Sequence, residues 1–365
     1  MRLLTLVGTR PEIIRLSRVI PRLDALCEHV LVHSGQNFEP GLSAVFFREL
    51  GVRAPDAELR VRGAGFAAQV AQVFERVAAV LEQHRPDRLL VLGDTNTGLA
   101  AIVAARSGIP VFHMEAGNRC YDERVPEELN RRLIDHASTV LLPYTERSQA
   151  NLVREGIGRE RVLVVGNPIG EVLRHYASGI AASLALDRLG VAPRRYLLAT
   201  LHRAENVDLP ERLAGLLEAL AAAAREHDLP LLFSVHPRTR DRLARSGLRL
   251  DEPRLRLLEP LGFFDFVKLE SEARAVLSDS GTLQEECALL RVPHVTLRDT
   301  TERPETLECG SNVLAGATPE GVLRGLRAAL ELGTSWRLPQ GYDEPDVSGT
   351  VARILLGHLD RRRPG

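Results

Sequence analysis

The densest chemistry in the chain lies between Ala275 and Gly310. A short apolar run, Ala275 to Leu277, breaks at Ser278-Asp279-Ser280-Gly281, and Thr282 to Leu290 follows with helix-forming composition and apolar positions at Leu283, Cys287 and Leu290. Strand, tight turn and helix in that order leave the first N–H groups of the helix pointing outward, where they and the helix dipole favour an anion. Ser280 adds a hydroxyl, and Gly281 removes a side chain that would hold a phosphate away. Glu285 and Glu286 stand about one turn in, and Arg303 follows the next apolar run, Val292 to Leu297. The combination predicts a diphosphate site, with a carboxylate for a sugar hydroxyl and a cation for the phosphates. A plain N-cap and turn is the other reading of Ser-Gly.

The first half offers acids. Leu89 to Leu92 ends at Gly93-Asp94, Pro110 to Met114 ends at Glu115, and the helical stretch Thr95 to Arg106 joins them as a right-handed βαβ unit. As neighbouring strands they set Asp94 and Glu115 roughly 5 Å apart in backbone terms, at the carboxyl edge where open α/β sheets bind ligands. Two carboxyls so placed push one pKa upward, which suits an acid/base pair. Separately solvated strand-end residues are the alternative. Arg10, in Gly8-Thr9-Arg10-Pro11, follows the strand Leu3 to Val7, and His202 follows Tyr196 to Leu201. Each is a phosphate or proton-transfer candidate and equally a turn residue. His236, after Leu231 to Val235, repeats the pattern more weakly.

These groups need two frameworks to hold them. At 365 residues the chain exceeds what one core usually serves, so two domains are expected. Net charge is −1, which gives no electrostatic reason for nucleic acid or an anionic membrane as partner. Lys268 is the sole lysine, so Schiff-base chemistry and a Walker-type phosphate lysine have essentially no candidate. The four cysteines, Cys27, Cys120, Cys287 and Cys309, form no C-x-x-C pair; they read as reduced thiols, with zinc ligation disfavoured. Met1 to Val7 enters an apolar run directly, with no basic n-region or cleavage site, and no stretch reaches membrane-spanning length, so a cytoplasmic protein is expected.

Ser278-Asp279-Ser280-Gly281, Gln284-Glu285-Glu286 and Arg298-Asp299-Thr300-Thr301-Glu302-Arg303-Pro304-Glu305 together resemble the signature segment of the non-hydrolysing UDP-N-acetylglucosamine 2-epimerases. Gly8-Thr9-Arg10-Pro11-Glu12, Glu115-Ala116-Gly117-Asn118-Arg119, Pro126 to His136 and His202-Arg203-Ala204-Glu205-Asn206 extend the resemblance over residues 1 to about 355. It implies an α/β fold of two Rossmann-like domains facing across a cleft, of the glycosyltransferase-B type. The domains would be 1–168 and 169–347, with a C-terminal helix, about 348–365, crossing back to the first. It further implies Asp94, Glu115, Glu127, His202 and Arg15 at the reacting centre, and Arg10, Arg131, Arg203, Phe266, Ser280, Gly281, Glu286 and Arg303 around a UDP-sugar. From the residue alone, Phe266 is equally a core aromatic. No nicotinamide, metal or other cofactor is implied, and a homodimer is expected.

Three departures matter. Arg15 stands where the family has lysine, which keeps the charge but not the geometry. Asn37 and Phe38 depart from the family's G-Q-H loop after Gly35-Gln36, so the activating second UDP-sugar site of some members is not carried over. Asn118-Arg119-Cys120-Tyr121-Asp122 is similar to a subgroup acting on other UDP-acetamido sugars, including the enzymes of UDP-N-acetyl-L-fucosamine synthesis. A hydrolysing 2-epimerase, a UDP-sugar glycosyltransferase and a UDP-sugar sensor without activity are the rival readings.

Overall fold

The computed structural model describes residues 1–36, 40–63, 65–247 and 251–358. Asn37, Phe38, Leu359 and Arg361 to Gly365, which entered the sequence reading, lie outside them. Two six-stranded sheets, parallel throughout, organise the chain. The first holds β1 (Arg2–Val7), β2 (Glu28–His33), β3 (Ala57–Glu58), β4 (Arg88–Leu92), β5 (Val111–Met114) and β6 (Val140–Leu142) in the order β3-β2-β1-β4-β5-β6. The second holds β7 (Leu197–Leu201), β8 (Leu231–Val235), β9 (Leu255–Leu258), β10 (Ala275–Ser278), β11 (His294–Thr296) and β12 (Asn312–Leu314) in the order β12-β11-β10-β7-β8-β9. Numbered within its own sheet, each runs 3-2-1-4-5-6, the doubly wound dinucleotide-binding order. Strand order therefore reverses between β1 and β4 and again between β7 and β10.

Continuous apolar runs make the central strands. All five residues of β4 and all four of β10 are buried, as expected where helices cover both faces. The covering helices are amphipathic. Phe66–His84 buries Val73, Val77 and Leu81 at intervals of four and stops at Arg85, which takes a left-handed conformation ahead of Pro86. Pro210–His227 buries Leu213, Leu216, Leu217 and Leu220 and ends the same way at Asp228. No helix among the described residues is long and apolar enough to cross a membrane.

The chain divides into two compact units, 1–175 with 340 onward, and 176–339. The first unit runs seven residues past the expected junction at 168, because the helix Pro168–His175 buries Ile169, Val172 and Leu173 there. The last helix, Val347–Gly357, belongs to the first unit. Ser348 donates to Glu171 from its N–H (2.8 Å) and its hydroxyl. Arg88, buried beneath the helix end, donates to the carbonyls of Leu355 and His358 and lies 5.4 Å from the centre of the Phe112 ring.

Candidate active site

In the first unit, the turns after β1 and β4 meet at the strand-order reversal. Gly8 allows it: a Cβ there would lie 2.3 Å from Thr97 Oγ1 and 2.4 Å from Ser34 Oγ. Pro11 then opens the helix Arg10–Leu16, and Glu12 turns back beneath it. Its carboxylate accepts from the N–H of Gly8, the N–H of Thr9 (3.3 Å) and the hydroxyl of Thr95 (2.8 Å), tying the turn that carries Arg10 to the turn that carries Asp94. Burial raises the Glu12 pKa to about 7, against the pull of those hydrogen bonds. Arg10, half-buried, lies 5.6 Å from the centre of the Phe46 ring.

Continuing the β4–β5 register past Leu92↔Met114 puts Gly93 level with Glu115 and Asp94 one residue beyond. The two acids thus end neighbouring strands one residue apart in register. Each meets an arginine. Asp94 lies 2.6 Å from Arg131, and Glu115 is ion-paired with Arg15, which is 3% exposed against 6% for Glu115 and lies 5.8 Å from the centre of the Tyr144 ring. Glu12, a carboxyl that burial brings toward neutrality, was absent from the candidate list. Glu115 has φ +66°, a left-handed conformation that is rare outside glycine. Buried Asp135 braces the turn that follows, accepting from His113 (2.8 Å), the N–H of Gly117 (3.2 Å) and Arg119 (2.8 Å).

Arg131 projects from the helix Pro126–Ala137 and also meets Glu128 at 2.8 Å. Burial opposes ionising Glu128, but the N–H of Cys120 and the Arg131 charge outweigh it and hold the pKa below the ordinary range. Glu127, half-buried, occupies the first turn of the same helix, where the dipole favours a carboxylate.

In the second unit, the turn after β7 meets the turn after β10. Asp279, fully buried, accepts from the N–H groups of His202 (3.0 Å) and Arg203 (3.0 Å) and from the Asn206 amide (3.0 Å), and its Oδ1 lies 3.1 Å from His202 Nδ1. Burial opposes the charge, yet His202 and these donors bring the Asp279 pKa down to about 2. The imidazole is thereby held by Nδ1, with a third of the side chain exposed, and its ring centre lies 5.6 Å from that of His236, the two planes tilted by 40°.

Ser280 occupies the N-cap of the helix Gly281–Leu290 without capping it; its hydroxyl lies 3.0 Å from Thr282 Oγ1. Gly281 also leaves room for neighbouring side chains. A Cβ there would meet Glu302 at 2.5 Å and Arg303 at 3.1 Å, so only glycine fits beside these two side chains. Arg303 is 3% exposed and binds Glu285 (2.9 Å) and Glu302 (2.9 Å), while Arg203, 16% exposed, lies 3.6 Å from Glu302. Glu286 is nearly buried, and Phe266 is half-buried against the cluster of Tyr196, Leu198 and Val276. Both groups missing from the candidate list carried a signal. Thr9-x-x-Glu12 has capping-box spacing, and Asp279 ends a strand beside the strand-order reversal.

Residues 22–356 match the family model described as UDP-N-acetylglucosamine 2-epimerase. The UDP-N-acetylglucosamine 2-epimerase of Methanocaldococcus jannaschii is 38% identical over 363 residues, covering 97% of this chain and 99% of that protein. A crystal structure of the M. jannaschii enzyme in complex with UDP-GlcNAc and UDP superposes with a TM-score of 0.93 at 36% identity, over 98% of this chain and 99% of that one. The UDP-2,3-diacetamido-2,3-dideoxy-D-glucuronate 2-epimerase of Pseudomonas aeruginosa is 36% identical over 335 residues, covering 90% of this chain and 92% of that protein.

Proposed function

The chain belongs to the UDP-N-acetylglucosamine 2-epimerase family, and from that premise we propose that it inverts carbon 2 of UDP-N-acetylglucosamine to give UDP-N-acetylmannosamine, without net hydrolysis. The hydrogen on carbon 2 is not next to a carbonyl, so direct abstraction is too costly. Breaking the anomeric C–O bond first builds positive charge at carbon 1, and the electron pair leaves with UDP. Loss of the carbon 2 proton to a carboxylate then gives 2-acetamidoglucal. Readdition of the UDP oxygen to carbon 1, with a proton delivered to the opposite face of carbon 2, completes the inversion. Nothing is oxidised overall.

Asp94 and Glu115 carry the reading: two acids at the ends of neighbouring strands, each held by its own arginine. We assign proton transfer to Asp94, Glu115 and Glu127, with Arg15 ion-paired to Glu115 beside the reacting centre. The departing diphosphate is held by Arg10, Arg203, Ser280 and the N-terminus of the Gly281–Leu290 helix, with His202 presenting its second ring nitrogen. Glu286 accepts a sugar hydroxyl and Phe266 flanks the base. Arg131 and Arg303 act by fixing acids, Asp94 and Glu128 for the first, Glu285 and Glu302 for the second.

A second reading, 2-epimerisation of a different UDP-acetamido sugar, is favoured by the P. aeruginosa relative and by the Asn118 to Asp122 segment. Incubation with a panel of UDP-acetamido sugars, followed by separation of the 2-epimers, tests both. UDP-N-acetylmannosamine from UDP-N-acetylglucosamine supports the first reading and turnover of another member alone supports the second. Free N-acetylmannosamine with stoichiometric UDP would overturn the non-hydrolysing assignment.

A further inference from the structure

Glu128 is a buried acid to which the proposed chemistry gives no step. It stands in the first turn of the helix Pro126–Ala137, 1% exposed, and both of its oxygens are engaged. Oε1 accepts from the N–H of Tyr121 (3.1 Å) and faces Arg132 at 3.5 Å. Oε2 accepts from the N–H of Cys120 (3.1 Å), the Cys120 thiol (3.3 Å) and Arg131 Nη1 (2.8 Å). Two consecutive backbone N–H groups turned on one anion need an unusual backbone, and Tyr121 supplies it with φ +55°. The same segment is anchored at its outer end, where the Tyr121 hydroxyl donates to Asn151 (2.9 Å) and the Arg154 guanidinium lies 5.0 Å from the centre of the Tyr121 ring.

Arg131 carries this arrangement to the reacting centre. Its Nη1 is on Glu128 while its Nη2 lies 2.6 Å from Asp94 Oδ2, and the neighbouring Asn130 amide donates to the Asp94 carbonyl at 3.0 Å. A guanidinium is a rigid planar fork, so its two terminal nitrogens do not move independently. Displacing Glu128 therefore turns Arg131 on Asp94 as well. A misplacement of about 1 Å at a reacting group is enough to cost roughly a hundredfold in rate.

We propose that Glu128 is a positioning residue for Asp94: held by the N–H groups of Cys120 and Tyr121, it fixes the Arg131 fork that sets the Asp94 carboxylate. The proposal rests on the assignment of proton transfer to Asp94. It gives the Asn118 to Asp122 segment a route to the reaction, through the conformation of its backbone rather than through a side chain.

The test is a double-mutant cycle read by turnover and by calorimetric titration with UDP. A carboxamide offers one acceptor oxygen and turns its NH2 group on donors, either Tyr121 and Arg132 or Cys120 and Arg131. Glu128→Gln should thus lower kcat on the order of ten- to a hundredfold while UDP binds within about threefold of wild type. In an Arg131→Met background the same substitution should change kcat by no more than about threefold, because the link it breaks is already gone; a purely packing role would cost as much in either background. Amide hydrogen exchange of the wild type, followed by NMR, should show the N–H groups of Cys120 and Tyr121 protected, and this measurement stands even should a variant fail to fold. Wild-type turnover in Glu128→Gln with Asp94→Asn inactive, equal losses in the two backgrounds, or rapid exchange of both N–H groups would overturn the proposal alone. Full turnover in Asp94→Asn would overturn the reading of Asp94 and the proposal with it.

Discussion

Replacing Glu12 by glutamine should stabilise the protein in alkaline solution and leave it nearly unchanged in acid. Glu12 has a pKa of about 7 in the folded chain against an ordinary value of 4.5, so the folded protein binds this proton more tightly than the unfolded chain does. The resulting stability is fully present below about pH 4.5 and is lost as pH rises through 7. At 1.36 kcal/mol per pH unit the loss amounts to about 3 kcal/mol. The side chain is 2% exposed, so solvent screening removes little of it. Glutamine offers its carbonyl to the N–H groups of Gly8 and Thr9 and its amide to the Thr95 hydroxyl, and it has no charge to bury. Urea unfolding of wild type and Glu12→Gln at pH 5 and pH 8.5 should thus show their difference growing by about 3 kcal/mol in favour of the variant. A difference independent of pH would refute the reasoning from burial. Activity supplies a second readout, since Glu12→Ala unties the Arg10 turn from the Asp94 turn and should lower kcat at every pH, whereas Glu12→Gln should not.

Asp279→Asn should cost about 2 kcal/mol at pH 7, because the Asp279 pKa falls from 3.8 to about 2 on folding. That stability is present above about pH 4 and lost as pH falls through 2, so thermal unfolding across this range should bring variant and wild type together. Glu115→Gln and Glu127→Gln should bind UDP nearly as wild type by calorimetry while turnover falls by ~10²–10⁴-fold; full turnover in either would remove that residue from the reaction. Arg15→Lys keeps a cation for Glu115 and should retain turnover, whereas Arg15→Ala strands a buried carboxylate and should cost roughly 3–5 kcal/mol in a melting experiment as well as activity. Equal stability and activity in all three forms would show that the ion pair contributes nothing.

The central strands were legible because burial on both faces writes them as uninterrupted apolar runs: Leu231 to Val235 has the same bounds in sequence and structure, and the neighbouring runs differ by a residue or two. Edge strands were not, since β3 has two residues and β12 three, too few for any period to register. The stretch Thr95 to Arg106 reads as one helix but opens with a 3₁₀ turn, Asn96–Leu99, which sets Gly98 against Ile134. In the site, sequence reading located the strand ends that carry the candidate residues, because strand-then-turn is a local pattern. It did not reveal the arginine partners of Asp94 and Glu115, because Arg131 and Arg15 are brought to them by tertiary packing. Glu12 and Asp279 are ordinary acids in the sequence; only burial among particular donors makes them bracing groups.

The central claim, that UDP leaves and returns while the hydrogen on carbon 2 is exchanged, is tested most directly in deuterium oxide. With UDP-N-acetylglucosamine as substrate, each turnover should place solvent deuterium on carbon 2 of UDP-N-acetylmannosamine, read by proton NMR and mass spectrometry, with the UDP-sugar intact. Epimerised product that retains the original hydrogen at carbon 2 would contradict elimination and readdition.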